Sequence, residues 1–193
     1  MTIEKTKASD TVSGGLVCNP QSPEAAQATG VFNIICRDKD GNLKWQAESK
    51  NLVVNVGLQY MAGTALDGTT TRVTTWYLGL YGAAASNDPA PGDTMSSHAG
   101  WTEVTDYSNG TRVTATFVAA TTADPSVVTN TASPAVFNIN GTTTVGGAFL
   151  TSGSAKSGTT GTLFSAADFG SPGDRSVVNG DTLSVTYTFS LAA

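Results

Sequence analysis

The segment from Leu183 to Leu191 constrains the fold more than any other stretch of the chain. Five apolar residues alternate strictly with four serines and threonines over its length. Side chains in a β-strand point to opposite faces with a period of two, so the segment predicts a strand with one apolar and one hydroxyl-bearing face. Asn179-Gly180-Asp181 supplies a turn just before it. A half-buried strand of this kind is typical of an antiparallel sandwich or barrel.

Further segments have the composition of strands and are joined by connections too short for helices. Residues 31–37 and 43–48 flank an Asp-Gly turn and predict a hairpin. The other candidate strands are residues 74–81, 111–119, 135–139, 145–150 and 161–164. We therefore predict an all-β fold, an antiparallel β-sandwich that is jelly-roll-like in one version, and exclude parallel βαβ units.

One or two short helices are expected within this fold. Val54, Leu58 and Met61 fall on one face at helical spacing, which predicts a helix that plugs one end of the sandwich. Asp93 is placed to cap a single helical turn that Gly100 would end.

Composition separates an N-terminal arm from the rest. Residues 1–29 are marked by Gly, Ser and Pro without a sustained apolar period, so we expect an extended arm that orders on a partner, followed by a sandwich domain over residues 30–193. The net charge is −5 and no basic patch with interleaved aromatics occurs, which argues against direct nucleic-acid binding. No signal peptide and no membrane-spanning run are recognisable, so synthesis in a cytoplasm without membrane insertion is expected.

Two patterns resemble metal or redox sites and have simpler interpretations. Cys18 and Cys36 match no zinc spacing, and either a disulfide or two reduced thiols, with Cys36 on a buried strand, fits them. Asp38, Asp40 and Asn42 resemble the start of a calcium loop, but Ser49 stands where the bidentate Glu would be required. A plain Asp-Gly turn is the better interpretation, and we predict no metal site and no cofactor.

The residues with catalytic potential do not form a recognisable active site. His98, the only histidine, has Asp93, Ser96 and Ser97 beside it, but a triad must converge from separate elements onto one reacting atom. Glu103 and Asp106 are an acid–base pair in principle only, since two acidic residues in a loop are common. Gly141, Gly146 and Gly147 precede no helix and give no phosphate-binding loop. We therefore predict no catalytic residues and no enzymatic activity.

Five aromatic residues leave two interpretations open. They can pave a sugar-binding surface or form the core of the sandwich, and the core is favoured because its aromatics have the same pattern. The residues are Trp76, Tyr77, Tyr81, Trp101 and Tyr107.

Six strings of the sequence are distinctive as a set. The most distinctive runs from Asp93 to Glu103 and reads Asp-Thr-Met-Ser-Ser-His-Ala-Gly-Trp-Thr-Glu. The others are residues 51–58, 76–80, 147–150, 158–165 and 180–187. Through these strings the sequence resembles, over residues 30 to 193, a family of small tailed-bacteriophage virion structural proteins.

The resemblance implies a capsid decoration (cement) protein that binds the major capsid protein on the outside of the head. It implies a homotrimer located on the capsid surface of the virion and made in the host cytoplasm. The alternative is a tail or head-fibre component that binds host surface glycans through the aromatic residues.

Overall fold

The computed structural model describes residues 26–82, 88–170 and 173–193. In these ranges it contains one α-helix, α1 (Asn55–Ala62), a π-helical turn at Gly63–Asp67, and thirteen strands. The strands are β1 Gln27–Arg37, β2 Leu43–Lys50, β3 Leu52–Val53, β4 Trp76–Gly82, β5 Thr102–Val104, β6 Val113–Ala115, β7 Ser126–Thr129, β8 Ala135–Asn138, β9 Thr143–Val145, β10 Gly147–Thr151, β11 Leu163–Asp168, β12 Arg175–Val177 and β13 Thr182–Ala192.

All pairings between these strands are antiparallel, and the predicted all-β sandwich is confirmed. Most of the predicted arm, residues 1–25, lies outside the described residues. Residues 27–29, which composition assigned to the arm, form the first rungs of β1.

Two sheets form the sandwich. Sheet A has the order β2-β1-β13, with β7 and β8 end to end on the far side of β13. Sheet B has the order β3-β11-β10-β4, with β5 and β6 on the far side of β4, and β9 and β12 make a separate two-stranded sheet. The first and last strands pair over their full length, from Gln27 opposite Ala192 to Arg37 opposite Thr182. The centre of sheet A therefore joins the two ends of the described chain.

The alternation of β13 is present, but its apolar face is buried only in part. Leu183, Val185 and Tyr187 are buried between the sheets. Phe189 is half-buried against Phe164, and Leu191 is 44% exposed. The alternation predicts which face of β13 is apolar but not how completely it is covered, and the cover decreases toward the rim of the sandwich at Leu191.

A third layer covers the face of sheet B that points away from sheet A. All five residues of β10 are buried, which requires cover on both faces of that strand. The cover comes from the start of α1 and from the loop around residues 93–101, and it produces a second apolar cluster, which we call the outer cluster. Its buried members are Val54, Tyr81, Met95, Trp101, Phe149, Leu163 and Ala166.

The predicted helix exists, and Val54 and Met61 pack inward as predicted, but Leu58 does not. Gly57 lies against the carbonyl of Phe164, so close that a side chain there would overlap it. Tyr60 and Met61 follow on the inward side and pack against the main core. Leu58, predicted to be on the buried face, is instead 46% exposed. Close packing of the helix backbone at Gly57 sets the rotation of the helix, and apolar spacing alone did not reveal it.

The single helical turn predicted after Asp93 does not form. Instead, Thr94 and Ser97 close a tight turn with two backbone hydrogen bonds, of 2.9 and 3.2 Å. The Thr94 hydroxyl also accepts the Ser97 amide at 3.0 Å. These local bonds compete with helical ones, as is common for Ser and Thr near turns.

Candidate functional site

His98 and Asp93 both serve Trp101 rather than each other. The His98 ring stacks on Trp101 with 3.9 Å between ring centres, and its Nδ1 is 2.9 Å from the Trp101 carbonyl oxygen. The indole Nε1 of Trp101 donates to Asp93 at 3.0 Å, and the same carboxylate oxygen accepts the Ala90 amide. Among the described residues no hydrogen bond joins His98 to Asp93, Ser96 or Ser97. The loop thus anchors a tryptophan instead of assembling a nucleophile and base.

The anchored Trp101 is the centre of the outer cluster. Its ring centre lies 5.2 Å from that of Tyr81 and 5.1 Å from that of Phe149. The segment from Asp93 to Glu103, the most distinctive string in the sequence, therefore packs over the outer face of sheet B and covers it.

Glu103 is committed to a buried ion pair, which leaves it poorly placed to act as an acid or base. Arg112 Nε and Nη2 donate to its two carboxylate oxygens at 2.9 and 2.7 Å, and the Ser157 amide donates at 2.7 Å. The exposed fractions are 1% for the Arg112 side chain and 6% for that of Glu103. Asp106, which the sequence pairs with Glu103 in principle only, is exposed beside Gly141. No single-sequence signal marked Arg112, because its partners are distant in sequence.

Arg112 and Lys156 also hold the connection between β10 and β11 in place, and we call this set of contacts the clasp. Arg112 also donates to the carbonyls of Gly153 and Gly158, both at 2.9 Å. In return Lys156, from that connection, donates to the Tyr107 carbonyl at 2.5 Å, and its ammonium lies 3.8 Å from the centre of the Tyr107 ring. The two cations therefore tie residues 152–162 to the segment between β5 and β6 from both sides.

Three of the five singled-out aromatic residues are core. Tyr81, Trp101 and Tyr107 are buried, and burial raises the pKa of both tyrosines well above the ordinary value. Trp76 and Tyr77 are half-buried at the start of β4. The core interpretation is thus confirmed for the three, and Trp76 is left as the one that also lines an open groove.

The Asp38 turn is a plain turn. One Asp38 carboxylate oxygen accepts the amides of Asp40 and Asn42 at 2.9 Å, and the other accepts the Asn42 side-chain amide at 3.1 Å. These hydrogen bonds, chiefly those from Asn42, hold the pKa of Asp38 below its usual range. Within the described ranges, no three His, Cys, Asp or Glu side chains converge as a metal site would require.

Cys36 is a buried thiol facing the core, and its burial raises its pKa to about 11. Cys18 lies outside the described residues, and so does the alternative of a disulfide between Cys18 and Cys36.

Gly147, one of the three glycines considered for a phosphate-binding loop, has a packing role instead. It belongs to β10, where it packs against Tyr81 and the Ala167 carbonyl.

The outer face of sheet A is built almost entirely from small hydroxyl, amide and aliphatic side chains. We call it the hydroxyl face. Its central row comes from β13 and is half-buried, and the strand register places the other rows beside it. In the middle of this face the outward positions on β1, β13, β7 and β8 are Thr29, Val31, Asn33, Ile35, Ser184, Thr186, Thr188, Ser190, Val127, Thr129, Val136 and Asn138. None of these twelve side chains is charged. Charged residues lie at the margins of the face, Arg37 at the end of β1 and Glu48 and Lys50 on β2.

Hydrogen bonds order the hydroxyl face laterally. The hydroxyls of Thr129 and Thr188 are 2.9 Å apart, and the Thr186 hydroxyl donates to the Asn33 carbonyl at 3.3 Å. Threonines fixed in this way have little side-chain freedom left to lose when a partner covers the surface.

A groove opens beside the start of β4 and the end of β6, next to Val128 of β7. It has a volume of about 580 Å³, and its walls are residues 72–76, leading into β4, and residues 114–120, leaving β6. Tyr60, Trp76 and Phe117 contribute half-buried aromatic rings to it. The groove is a second candidate surface, distinct from the hydroxyl face in both position and chemistry.

In the described part of the chain, no helix is long and apolar enough to cross a bilayer. No protein-family model, no curated protein and no solved structure matches this chain.

Proposed function

We propose that this chain is a structural protein of a tailed-bacteriophage virion, a decoration protein that binds the major capsid protein on the outside of the head as a homotrimer. The class of protein comes from the sequence resemblance over residues 30–193. The all-β sandwich, clasped loops and covered outer face of sheet B are compatible with a rigid surface module. The observation that carries the proposal is the hydroxyl face.

The hydroxyl face has the chemistry of a docking surface. The cores of protein interfaces are depleted in charged residues, and so are the strands β1, β13, β7 and β8 on this side. The face is three strands wide, since β7 and β8 lie end to end beside β13. A spacing of about 4.8 Å between strands and about six residue steps of 3.4 Å give it an area of roughly 300 Å². A standard interface buries about 800 Å² per partner, so one such face gives a weak contact by itself.

Weak individual contacts are suited to attachment in several copies. In a homotrimer, binding of the first subunit makes binding of the others intramolecular, and the overall affinity exceeds that of any single face. Ligands that bind only the assembled state stabilise it by mass action. The proposed mechanism is therefore thermodynamic: trimers that bridge capsid subunits add free energy that internal genome pressure must overcome.

A charge placed in the middle of the hydroxyl face tests the proposal. Heads prepared without the protein are mixed with wild type, Thr186→Lys or the matched control Thr144→Lys, which changes an exposed threonine on β9. We expect Thr186→Lys to lower head binding at least tenfold and Thr144→Lys to leave it unchanged, measured by co-sedimentation. Equal binding of the two variants contradicts the assigned surface, and failure of wild type to bind heads contradicts the function.

The same assay tests the predicted arm. Deleting residues 1–25 leaves all thirteen described strands in place and is expected to preserve the fold while weakening attachment. Cryo-microscopy of the virion distinguishes head decoration from the main alternative, a tail or head-fibre component. Many copies on the shell support decoration, whereas a few copies at the tail or on head fibres support a component that binds host glycans.

A further inference from the structure

We propose that the groove between residues 72–76 and 114–120 is a carbohydrate-binding site that takes an oligosaccharide carrying carboxylate groups. The inference concerns a surface other than the hydroxyl face and stands whether or not the protein decorates a head. The groove volume of about 580 Å³ lies within the usual range for small-ligand sites.

The groove is held open by bonds that fix each wall separately. On one side the Tyr60 hydroxyl accepts the Val73 amide at 2.9 Å, which ties the wall to the helix. On the other side the Val118 amide donates to the Thr129 carbonyl at 2.9 Å, which ties that wall to β7. The pairing of β4 with β6 reaches as far as Trp76 opposite Ala115. A site fixed in this way has little ordering cost when a ligand enters.

The aromatic base of the groove is rigid as well. Trp76 packs edge-to-face against Tyr60, with 5.2 Å between ring centres, and against Phe164, with 5.4 Å. Phe117 packs at 6.2 Å against the buried Tyr187. Half-buried rings of this kind offer an apolar surface to the C–H faces of a sugar ring.

The rim supplies the groups that a polyhydroxylated ligand needs. Four exposed threonines surround the aromatic base: Thr74, Thr75, Thr114 and Thr116. Each hydroxyl is both a donor and an acceptor, so it suits sugar hydroxyls in either role. Alternating apolar surface and hydroxyls in a 580 Å³ groove match the amphipathic surface of a saccharide better than that of a purely apolar ligand.

An extended peptide fits this groove less well. Recognition by strand addition requires a free backbone edge. Here the wall formed by residues 114–120 is already bonded, to β4 through Thr114 and Ala115 and to β7 through the amide of Val118. The amide of Thr121, just beyond the wall, also donates to β7. What this wall presents to the groove is side chains.

The charge of the groove specifies the class of saccharide. Arg72 is the one charged side chain among the described residues that line it, and it is exposed at the rim. A guanidinium can bind a carboxylate through two parallel hydrogen bonds, an arrangement well suited to a uronic acid. We therefore assign an acidic oligosaccharide to the groove in preference to a neutral one.

The test uses tetragalacturonate as the acidic probe and maltotetraose as the neutral one, with binding to the full-length protein followed by calorimetry and saturation-transfer NMR. We expect tetragalacturonate to bind more tightly than maltotetraose. Arg72→Gln should weaken the binding of tetragalacturonate at least about tenfold, the scale of a lost charge-assisted hydrogen bond. The same change should leave the affinity for maltotetraose unchanged. Thr116→Val, which replaces the hydroxyl by a methyl group of similar size, should weaken the binding of both probes.

Arg37→Gln is the matched control, since Arg37 is an exposed arginine at the opposite end of β1 from the groove. Because Arg72, Thr116 and Arg37 are all exposed, their variants are expected to fold normally, and unchanged melting temperatures verify this. The proposal is overturned if neither saccharide binds the wild type. It is also overturned if Arg37→Gln weakens binding as much as Arg72→Gln does, or if the groove variants instead abolish binding of an extended peptide.

Discussion

At the scale of single residues, Arg112 shows how strongly a side chain can depend on distant parts of the chain. It is the largest fully buried side chain among the described residues. Its guanidinium is satisfied by Glu103, nine residues earlier, and by carbonyls of Gly153 and Gly158. The guanidinium carbon Cζ of Arg112 also lies 5.2 Å from the centre of the Phe149 ring. A buried charge is tolerable only when such partners are all present.

Removing one member of this pair is expected to be costly. Glu103→Gln keeps the shape of the side chain but leaves the buried guanidinium without its counter-charge, so the free energy of unfolding should fall by about 3–5 kcal/mol. Urea denaturation followed by circular dichroism measures this. The control is Asp40→Asn, which breaks an ion pair with Lys39 whose side chains are 62% and 74% exposed, and should cost less than about 1 kcal/mol. Similar small losses in both variants would show that Glu103 contributes no more than a surface charge.

Ser157 illustrates the same dependence in the backbone. It has a positive φ of 55°, an uncommon conformation for a residue with a side chain. Its amide donates to Glu103, so the carboxylate that neutralises Arg112 also holds this residue in place. The Glu103–Arg112 ion pair at the centre of the clasp therefore fixes both the backbone conformation at Ser157 and the position of the connection between β10 and β11.

At the scale of elements, β4 and β10 fit together through two reciprocal pairs of a glycine and an aromatic residue. Gly79 lies opposite Phe149, and Gly147 lies opposite Tyr81. A methyl group on either glycine would overlap the ring opposite it. The glycines make room for the rings to lie flat across the neighbouring strand, where Trp101 then covers them.

Gly79→Ala should therefore destabilise the protein, although alanine is usually no worse than glycine in a strand. Overpacking of a filled core costs about 1–3 kcal/mol, and thermal unfolding by calorimetry should show a lowered Tm. Gly92→Ala is the control, because a side chain there meets no atom within 4 Å. A Gly79→Ala variant as stable as Gly92→Ala would mean that the Phe149 ring can move aside without penalty.

At the scale of the whole molecule, the sandwich buries several groups that ionise only at alkaline pH. Burial raises the pKa of Cys36 to about 11, from a value of 9.0 in an unperturbed thiol. It also raises the pKa of Tyr81, Tyr107 and Tyr187 above the ordinary value of 10.0. All four are therefore neutral in the folded protein at pH values where they ionise in the unfolded chain.

These raised pKa values should make the folded protein less stable at alkaline pH. Since each folded pKa is raised, the contribution to stability is complete below the unfolded pKa and is lost as the pH rises toward the folded one. The free energy of unfolding should thus be level near neutral pH and fall above about pH 9, where the unfolded thiol begins to ionise. Urea midpoints measured between pH 7 and pH 11 test this. Cys36→Ala should reduce the slope between pH 9 and pH 11, and an identical slope in wild type and variant would contradict the role of the thiol.

Local pattern alone determined the strands with the clearest signals. The alternation from Leu183 to Leu191, the hairpin of residues 31–48 and the Asp38 turn are all present as predicted. Alternation and turn chemistry are encoded by neighbours in sequence, so a single chain is sufficient to reveal them.

Only the tertiary structure decided which parts of these patterns are buried and which side chains meet. Leu191 and Leu58 are exposed although their spacing matches a core position, because the rim of the sandwich and the packing of Gly57 set the geometry there. The third layer over sheet B, the burial of Arg112 and the groove beside Trp76 all require contacts between residues far apart in the chain. A sequence pattern states which face of an element is apolar, whereas burial and site geometry depend on what another element places against that face.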